Sequence, residues 1–564
     1  MSGPTVNRTT MKFLNTTLIL SSLFLFSCQG ENPSVSTPAS APEASSDVAA
    51  PRGAATAQGD TAYDLALVYS LGSGQLFHRT NALLLKGEIE RRRNAGLLAP
   101  EEIPEGLTPE ALENLASLPV APEISGEMVE VRIQKALDDN EKANPGNNFW
   151  DQVAAAGYSE EAYRKEVRRT LLLDAMFFPD DPDAWPLGVL EEVFEAGKEN
   201  SLWDTWVSKM PDQIRESQEK GEWKGMDDNM LQMFLRPTVL RWLRKEADIR
   251  ESFAGDLPDG VCLSINGMEV TTAEMLASLA PVTSEVDRER AATWVEVTSK
   301  VKAALAEKGV LMTTDEVMAA IKEDKKEYEN SPISYEQVAL QFLGFPSMEY
   351  FHQHYQLRKS FRKTLPDPLP VEVLEAHLGK RRQFLGDGKV DVDVILVAAR
   401  DMNTGRFPKD GDSFAVAEKV AKEVAAKLAA EDGANWDAVL AEYSDFPKER
   451  PNAFQGAPQP NQGKFGQQRR NPLREFLGGN DYMSFLLGVN LGDGIFFDAE
   501  IGAIYGPVRG PHGWYFYRVN SRVEASREID VANDERQNFI VSDDFLTVRF
   551  LAFVKQVMSE TSGG

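Results

Sequence analysis

Val390-Asp-Val-Asp-Val-Ile-Leu-Val397 decides how the last third of the chain is read. Apolar residues alternate with aspartate and then run without interruption, which is the pattern of a strand. Downstream, Val416, Val420, Val424 and Leu428 recur at four-residue steps through Ser413–Ala430 and predict a helix. Asn435-Trp-Asp-Ala-Val-Leu-Ala-Glu-Tyr443 predicts a second. A long Pro-, Gln-, Asn- and Gly-rich loop is expected over 447–477, locally basic at Arg469, Arg470 and Arg474 and open to two readings, an insertion or a flap. Then come Gly478-Gly479, Gly502-Ala-Ile-Tyr-Gly-Pro-Val508 and the strand Gly513-Trp-Tyr-Phe-Tyr-Arg-Val519. The segment therefore reads as α+β.

Upstream, from about 62 to 385, apolar residues recur at three and four and the pattern is helical. Pro237 suits a first helical turn. Asn266-Gly267 between β-prone residues marks a hairpin, and Thr271 or Thr272 caps the helix that follows. A weak echo runs through this region. Val129 and Val317 are 188 apart, as are Ser159 and Ser347, and each copy reads helix, Gly turn, Ser cap, helix. Two unrelated helical hairpins give the same pattern. Near the end, Asp543-Asp-Phe-Leu-Thr-Val-Arg-Phe-Leu-Ala-Phe-Val-Lys-Gln-Val557 is a helix apolar on one side, which cannot bury that face alone.

The strand–helix–helix–strand order over about 388–522 resembles a parvulin-type peptidyl-prolyl isomerase domain. Both helical copies resemble the N-terminal chaperone module of the SurA and PrsA family, over about 122–175 and 260–365. Ile265-Asn-Gly-Met-Glu-Val-Thr-Thr-Ala-Glu-Met-Leu276 stands where that module opens. The resemblance implies an exported folding factor that cradles unfolded chains, with the C-terminal helix packed back on the helical region. It also implies catalysis of X-Pro rotation, whose barrier is about 20 kcal/mol. The family's two catalytic histidines fall on Val394 and Tyr515, and its Cys or Asp on Phe446. His512 comes three residues too early, and the proline-gripping Met and Phe fall near Val489 and Leu491. No catalytic residue is therefore assigned. Leu491, Ile504 and Trp514 are expected to wall an apolar cleft that takes a peptide.

At the other end, Lys12 precedes a short apolar run over 17–27, too short for the roughly 20 residues that span a bilayer. It reads as a secretory signal. Leu25-Phe26-Ser27-Cys28 resembles the lipobox of bacterial lipoproteins, with Phe26 bulkier than usual. That resemblance implies diacylglycerol on Cys28 and a periplasm-facing protein on the inner or outer membrane of a Gram-negative-type cell. The organisation expected is signal 1–28, disordered tether 29–61, helical modules 62–255 and 256–386, parvulin-like domain 387–523 and C-terminal helix segment 524–564. The fold class is mainly α, followed by α+β.

Composition narrows the function. A formal charge of −27 opposes nucleic-acid partners, which favour basic surfaces. Two cysteines and five scattered histidines offer no metal spacing, and no phosphate loop or Gly-x-Ser-x-Gly elbow occurs. No cofactor is expected. Three functions stay open: a tethered folding factor with little isomerase activity, an active isomerase with a non-standard site, and a structural scaffold.

Overall fold

The computed structural model describes residues 61–94, 121–143, 148–155, 158–196, 200–245, 247–254, 257–328, 335–402, 405–446, 462–477, 479–488 and 491–560. The signal, Cys28 and the tether up to residue 60 lie outside these residues. Two compact units emerge, one spanning 78–248 and the other joining 61–77 to 249–560. The expected module starting at 62 is thus corrected at its beginning. Helix Thr61–Leu71 packs within the second unit, where Tyr350 Oη donates to Ala66 O at 2.8 Å.

The regular elements among the described residues of the first unit are all helical. In Leu187–Ala196, Leu190, Val193 and Phe194 face one core with Phe177, Val207, Ile214, Leu231 and Val239. Ser159 caps Glu160–Phe177 by accepting from Ala162 N–H at 3.2 Å. Two helical stretches widen by one residue into π-turns. Ser208 N–H reaches Trp203 O at 2.9 Å, and Arg236 N–H reaches Leu231 O. Trp206, Met233 and Phe234 stand exposed on them.

In the second unit, β1 (Ile249–Glu251), β2 (Val261–Ile265) and β3 (Met268–Thr271) form an antiparallel sheet. Asn266 and Gly267 both take positive φ, 50° and 78°, as a two-residue hairpin with matching twist demands. Thr271 and Glu274 then form a reciprocal capping box that starts Thr272–Leu279. Helices Glu285–Glu307, Thr314–Lys326, Met348–Arg362 and Val371–Leu385 follow. Ser347 caps Met348–Arg362 by accepting from Tyr350 N–H at 3.3 Å.

A second antiparallel sheet contains β4 (Lys389–Ala398), β5 (Lys464–Gln468), β6 (Ile504–Gly510) and β7 (Gly513–Val523), in the order β5-β4-β7-β6. The loop expected over 447–477 is corrected over its described part. Residues 464–468 pair with β4, and Arg470–Phe476 is a helix. Arg470 and Arg474 are also not free cations, because they pair with Asp493 and Asp481.

The last helix, Glu535–Glu560, packs on Glu285–Glu307, Met348–Arg362 and Val371–Leu385. Consecutive aspartates fix it there. Asp543 accepts from Arg358 at 2.5 Å, and Asp544 takes both ends of the Arg381 fork at 3.0 Å and His377 Nε2 at 2.7 Å. The architecture is therefore a mainly helical region, an α+β segment around a four-stranded antiparallel sheet, and a C-terminal helix.

Candidate functional site

Strands β4 and β7 form the centre of the second sheet, with Val394 opposite Tyr517 and Leu396 opposite Tyr515. Side chains alternate across a strand. Val390, Val392, Val394 and Leu396 therefore share one face, and Ile395 and Val397 the other. The first face carries Val394, Phe446, Tyr515 and Leu491 in a single apolar core. Their exposures are 0, 6, 0 and 6%, so all four side chains are buried. Tyr515 Oη donates to Leu477 O at 3.4 Å and also meets the His512 backbone, and Phe446 meets Phe465 edge-on at 5.3 Å. A methyl group on Gly510 would collide with the Tyr515 ring and Leu491.

Ile504 and Trp514 do not join them. Both pack on the opposite core, with Phe414 and Trp436, and Trp514 Nε1 donates to Phe414 O at 3.2 Å. The expectation that Leu491, Ile504 and Trp514 wall one cleft is corrected. Trp514 and Tyr515 are neighbours on a strand, so they point to opposite faces. The sequence carried this signal in its period of two.

Asp445, its carboxyl raised by burial, accepts from Ala398 N–H at 2.7 Å. His512 sits in the β6–β7 turn, where burial and then Arg400 and Arg290 pull it down to about 3. It is neutral and unsuited to proton transfer near neutral pH. Among the described residues, no group of His, Cys, Asp or Glu is placed to hold a metal ion. No described helix is long and apolar enough to cross a membrane.

No protein-family model matches the chain, and no curated protein matches its sequence. Solved structures that resemble it include the peptidylprolyl isomerase PrsA of Bacillus cereus, 16% identical, covering 51% of this chain and 85% of that one at a TM-score of 0.17. PrsA of Bacillus anthracis is 15% identical, covering 47% and 92% at 0.21. PrsA of Bacillus subtilis is 17% identical, covering 52% and 88% at 0.16. At such scores no residue's role transfers.

One assembly of side chains was missed by sequence reasoning. Trp294 stacks on Tyr350 at 4.2 Å, and around this pair gather Phe345, Tyr482 and Phe485. His354 and Phe550 extend the group through Phe485, at 5.0 and 5.9 Å. Burial pulls His354 down to about 3, so its ring acts as one more neutral wall. Tyr482 and Phe485 belong to the short helix Asp481–Leu487, Phe345 lies in the link before Met348–Arg362, and the others come from helices earlier and later in the chain. The three-residue spacing of Tyr482 and Phe485 was visible as one helix face; their partners lie far off in sequence.

Proposed function

We propose that this protein is an exported folding factor, lipid-anchored through Cys28, that holds unfolded chains by exposed apolar groups and does little or no prolyl isomerisation. The observation that carries the second half is the closed core at Val394, Phe446 and Tyr515. Catalysis of rotation needs groups that favour the twisted amide over the planar one. Here hydrocarbon and a buried phenol occupy those positions. A single well-placed transition-state contact is worth roughly 10²–10³ in rate, so losing several leaves little.

The holding role draws support from Trp206, Met233 and Phe234, large apolar side chains exposed beside a well-packed core in the first unit. Net charge of −27 keeps a protein with such groups soluble. Purified protein is expected to suppress aggregation of an unfolded client while barely accelerating a proline-limited refolding step. Robust isomerase activity abolished by Tyr515→Phe would establish an active isomerase instead. Neither activity would favour a scaffold.

The anchor is tested separately. Cys28→Ser is expected to move the protein into a soluble exported fraction and to abolish metabolic labelling with a fatty acid. Labelling that persists in the variant rules the anchor out.

A further inference from the structure

Arginine carries five N–H donors and no acceptor, so buried guanidiniums need oxygens or anions around them. Four arginines meet around one cavity in the second unit. Arg358 comes from Met348–Arg362, Arg381 from Val371–Leu385, and Arg470 and Arg474 from Arg470–Phe476. Three carboxylates share the walls: Asp481, Asp493 and, from Glu535–Glu560, Asp544. A further carboxylate, Asp543, pairs with Arg358 but is not part of the walls, and it is half-exposed, so water screens it. His354 also lines the cavity. Burial and then Arg358 pull it down to about 3, so it adds no charge. The walls therefore carry one positive charge more than they carry negative.

Donors outnumber acceptors as well. Arg381 uses all three nitrogens, two on Asp544 at 3.0 Å and one on Asp493 at 3.4 Å. The other arginines do not. Arg358 donates through Nη2 alone, to Asp543 and to Thr547. Arg470 donates through Nε to Asp493 and through Nη1 to Asn471. Arg474 donates through Nε to Gly479 O and through Nη2 to Asp481. Among the described residues, Arg358 Nε and Nη1, Arg470 Nη2 and Arg474 Nη1 meet no acceptor. Arg381 and Arg470 are only 9 and 7% exposed, so bulk water cannot take the place of a counter-charge.

Size narrows the ligand. The cavity measures about 30 Å³, the space of about one water. A carboxylate or phosphate group brings three or more heavy atoms and does not fit, whereas a single-atom anion does. We propose that this cavity is a chloride site, with Arg358, Arg470 and Arg474 around one halide ion. The ion neutralises the surplus charge. It also joins Met348–Arg362, Arg470–Phe476 and the C-terminal helix, which reaches the cavity through Asp544 and Thr547. Chloride binds only while these elements stay together, so it shifts the opening of the C-terminal helix toward the docked state.

The test uses the full chain at constant ionic strength. Chloride is replaced by bromide, acetate or gluconate, and hydrogen exchange of the 541–551 amides is read. Chloride at about ten times its Kd is expected to slow this exchange about tenfold relative to gluconate. Bromide, also a single atom, is expected to act like chloride, and acetate like gluconate. Ser484 is a buried wall residue, and Ser484→Asp places a resident carboxylate there, so this variant is expected to lose the chloride response. If it fails to fold by circular dichroism, Thr547→Asp, from the wall on the last helix, takes its place. Equal exchange in chloride and gluconate overturns the proposal, whether or not either variant folds. Protection that acetate matches also overturns it, because that marks general binding to surface arginines. A chloride response that a folded variant keeps does the same.

Discussion

Glu88→Ala is expected to destabilise the first unit by about 3–5 kcal/mol, the usual cost of leaving one member of a buried ion pair without the other. Glu88 is 3% exposed and Arg92 2%. Glu88 Oε1 accepts from Arg92 Nε at 3.0 Å, and Oε2 accepts from Arg91 Nε at 2.7 Å. The Arg92 guanidinium also lies over the Phe177 ring, 4.9 Å from its centroid, at the heart of this core. Removing the carboxylate leaves a buried cation without its counter-charge. Urea unfolding read by hydrogen exchange in 78–94 and 160–177 measures the loss. Glu88→Ala combined with Arg92→Met is expected to recover much of it, because hydrocarbon of similar volume suits the site. A double variant no better than the single would show that the cost lies elsewhere.

Glu349→Gln is expected to remove a pH dependence of stability worth about 3 kcal/mol, at roughly 1.4 kcal/mol per pKa unit. Glu349 is 3% exposed and in no ion pair among the described residues. Burial pushes its carboxyl up to about 7 from an ordinary 4.5. Phe253 N–H and Gln353 Nε2 donate to its oxygens at 2.7 and 2.8 Å, and both favour the ion. Glu251 opposes ionisation, Lys302 assists it, and Tyr69 faces it from helix Thr61–Leu71. A folded value above the unfolded one means the folded chain keeps a proton that the unfolded chain has released. The stabilisation is complete below pH 4.5, falls as pH rises, and is gone above about 7. The variant should lack this slope. A difference between variant and wild type that stays constant from pH 4 to 8 would rule the coupling out.

Much of the fold was legible because local rules carried it. The run 390–397 is strand because one half alternates and the other is covered on both faces. Asn266-Gly267 made a hairpin, and Ser159 and Ser347 capped helices, because each needs only near neighbours. Residues 462–477 misled because Gly466 and the run of glutamines look like loop, while Phe465 and Gln468 are buried in the sheet. Helix Thr61–Leu71 was assigned to the wrong module because its partners, such as Cys262, lie almost two hundred residues away. The site was less legible. Val394, Phe446 and Tyr515 could be marked as apolar or phenolic from the chain alone. That they merge into a sealed core depends on Phe465, Leu473 and Leu491 arriving from elsewhere.

The π-turns at 203–207, 231–235, 338–342 and 494–498 have a consequence for chain length. Each closes a hydrogen-bonded ring with one residue more than an α-turn. An α-helix that loses a residue rotates everything beyond it by about 100° and turns its buried stripe outward. A π-turn that loses one relaxes into an α-turn, and the flanking segments keep their orientation. Deleting one residue within 231–235, which runs on directly into Arg236–Lys245, is therefore expected to leave the buried stripe of that helix in place.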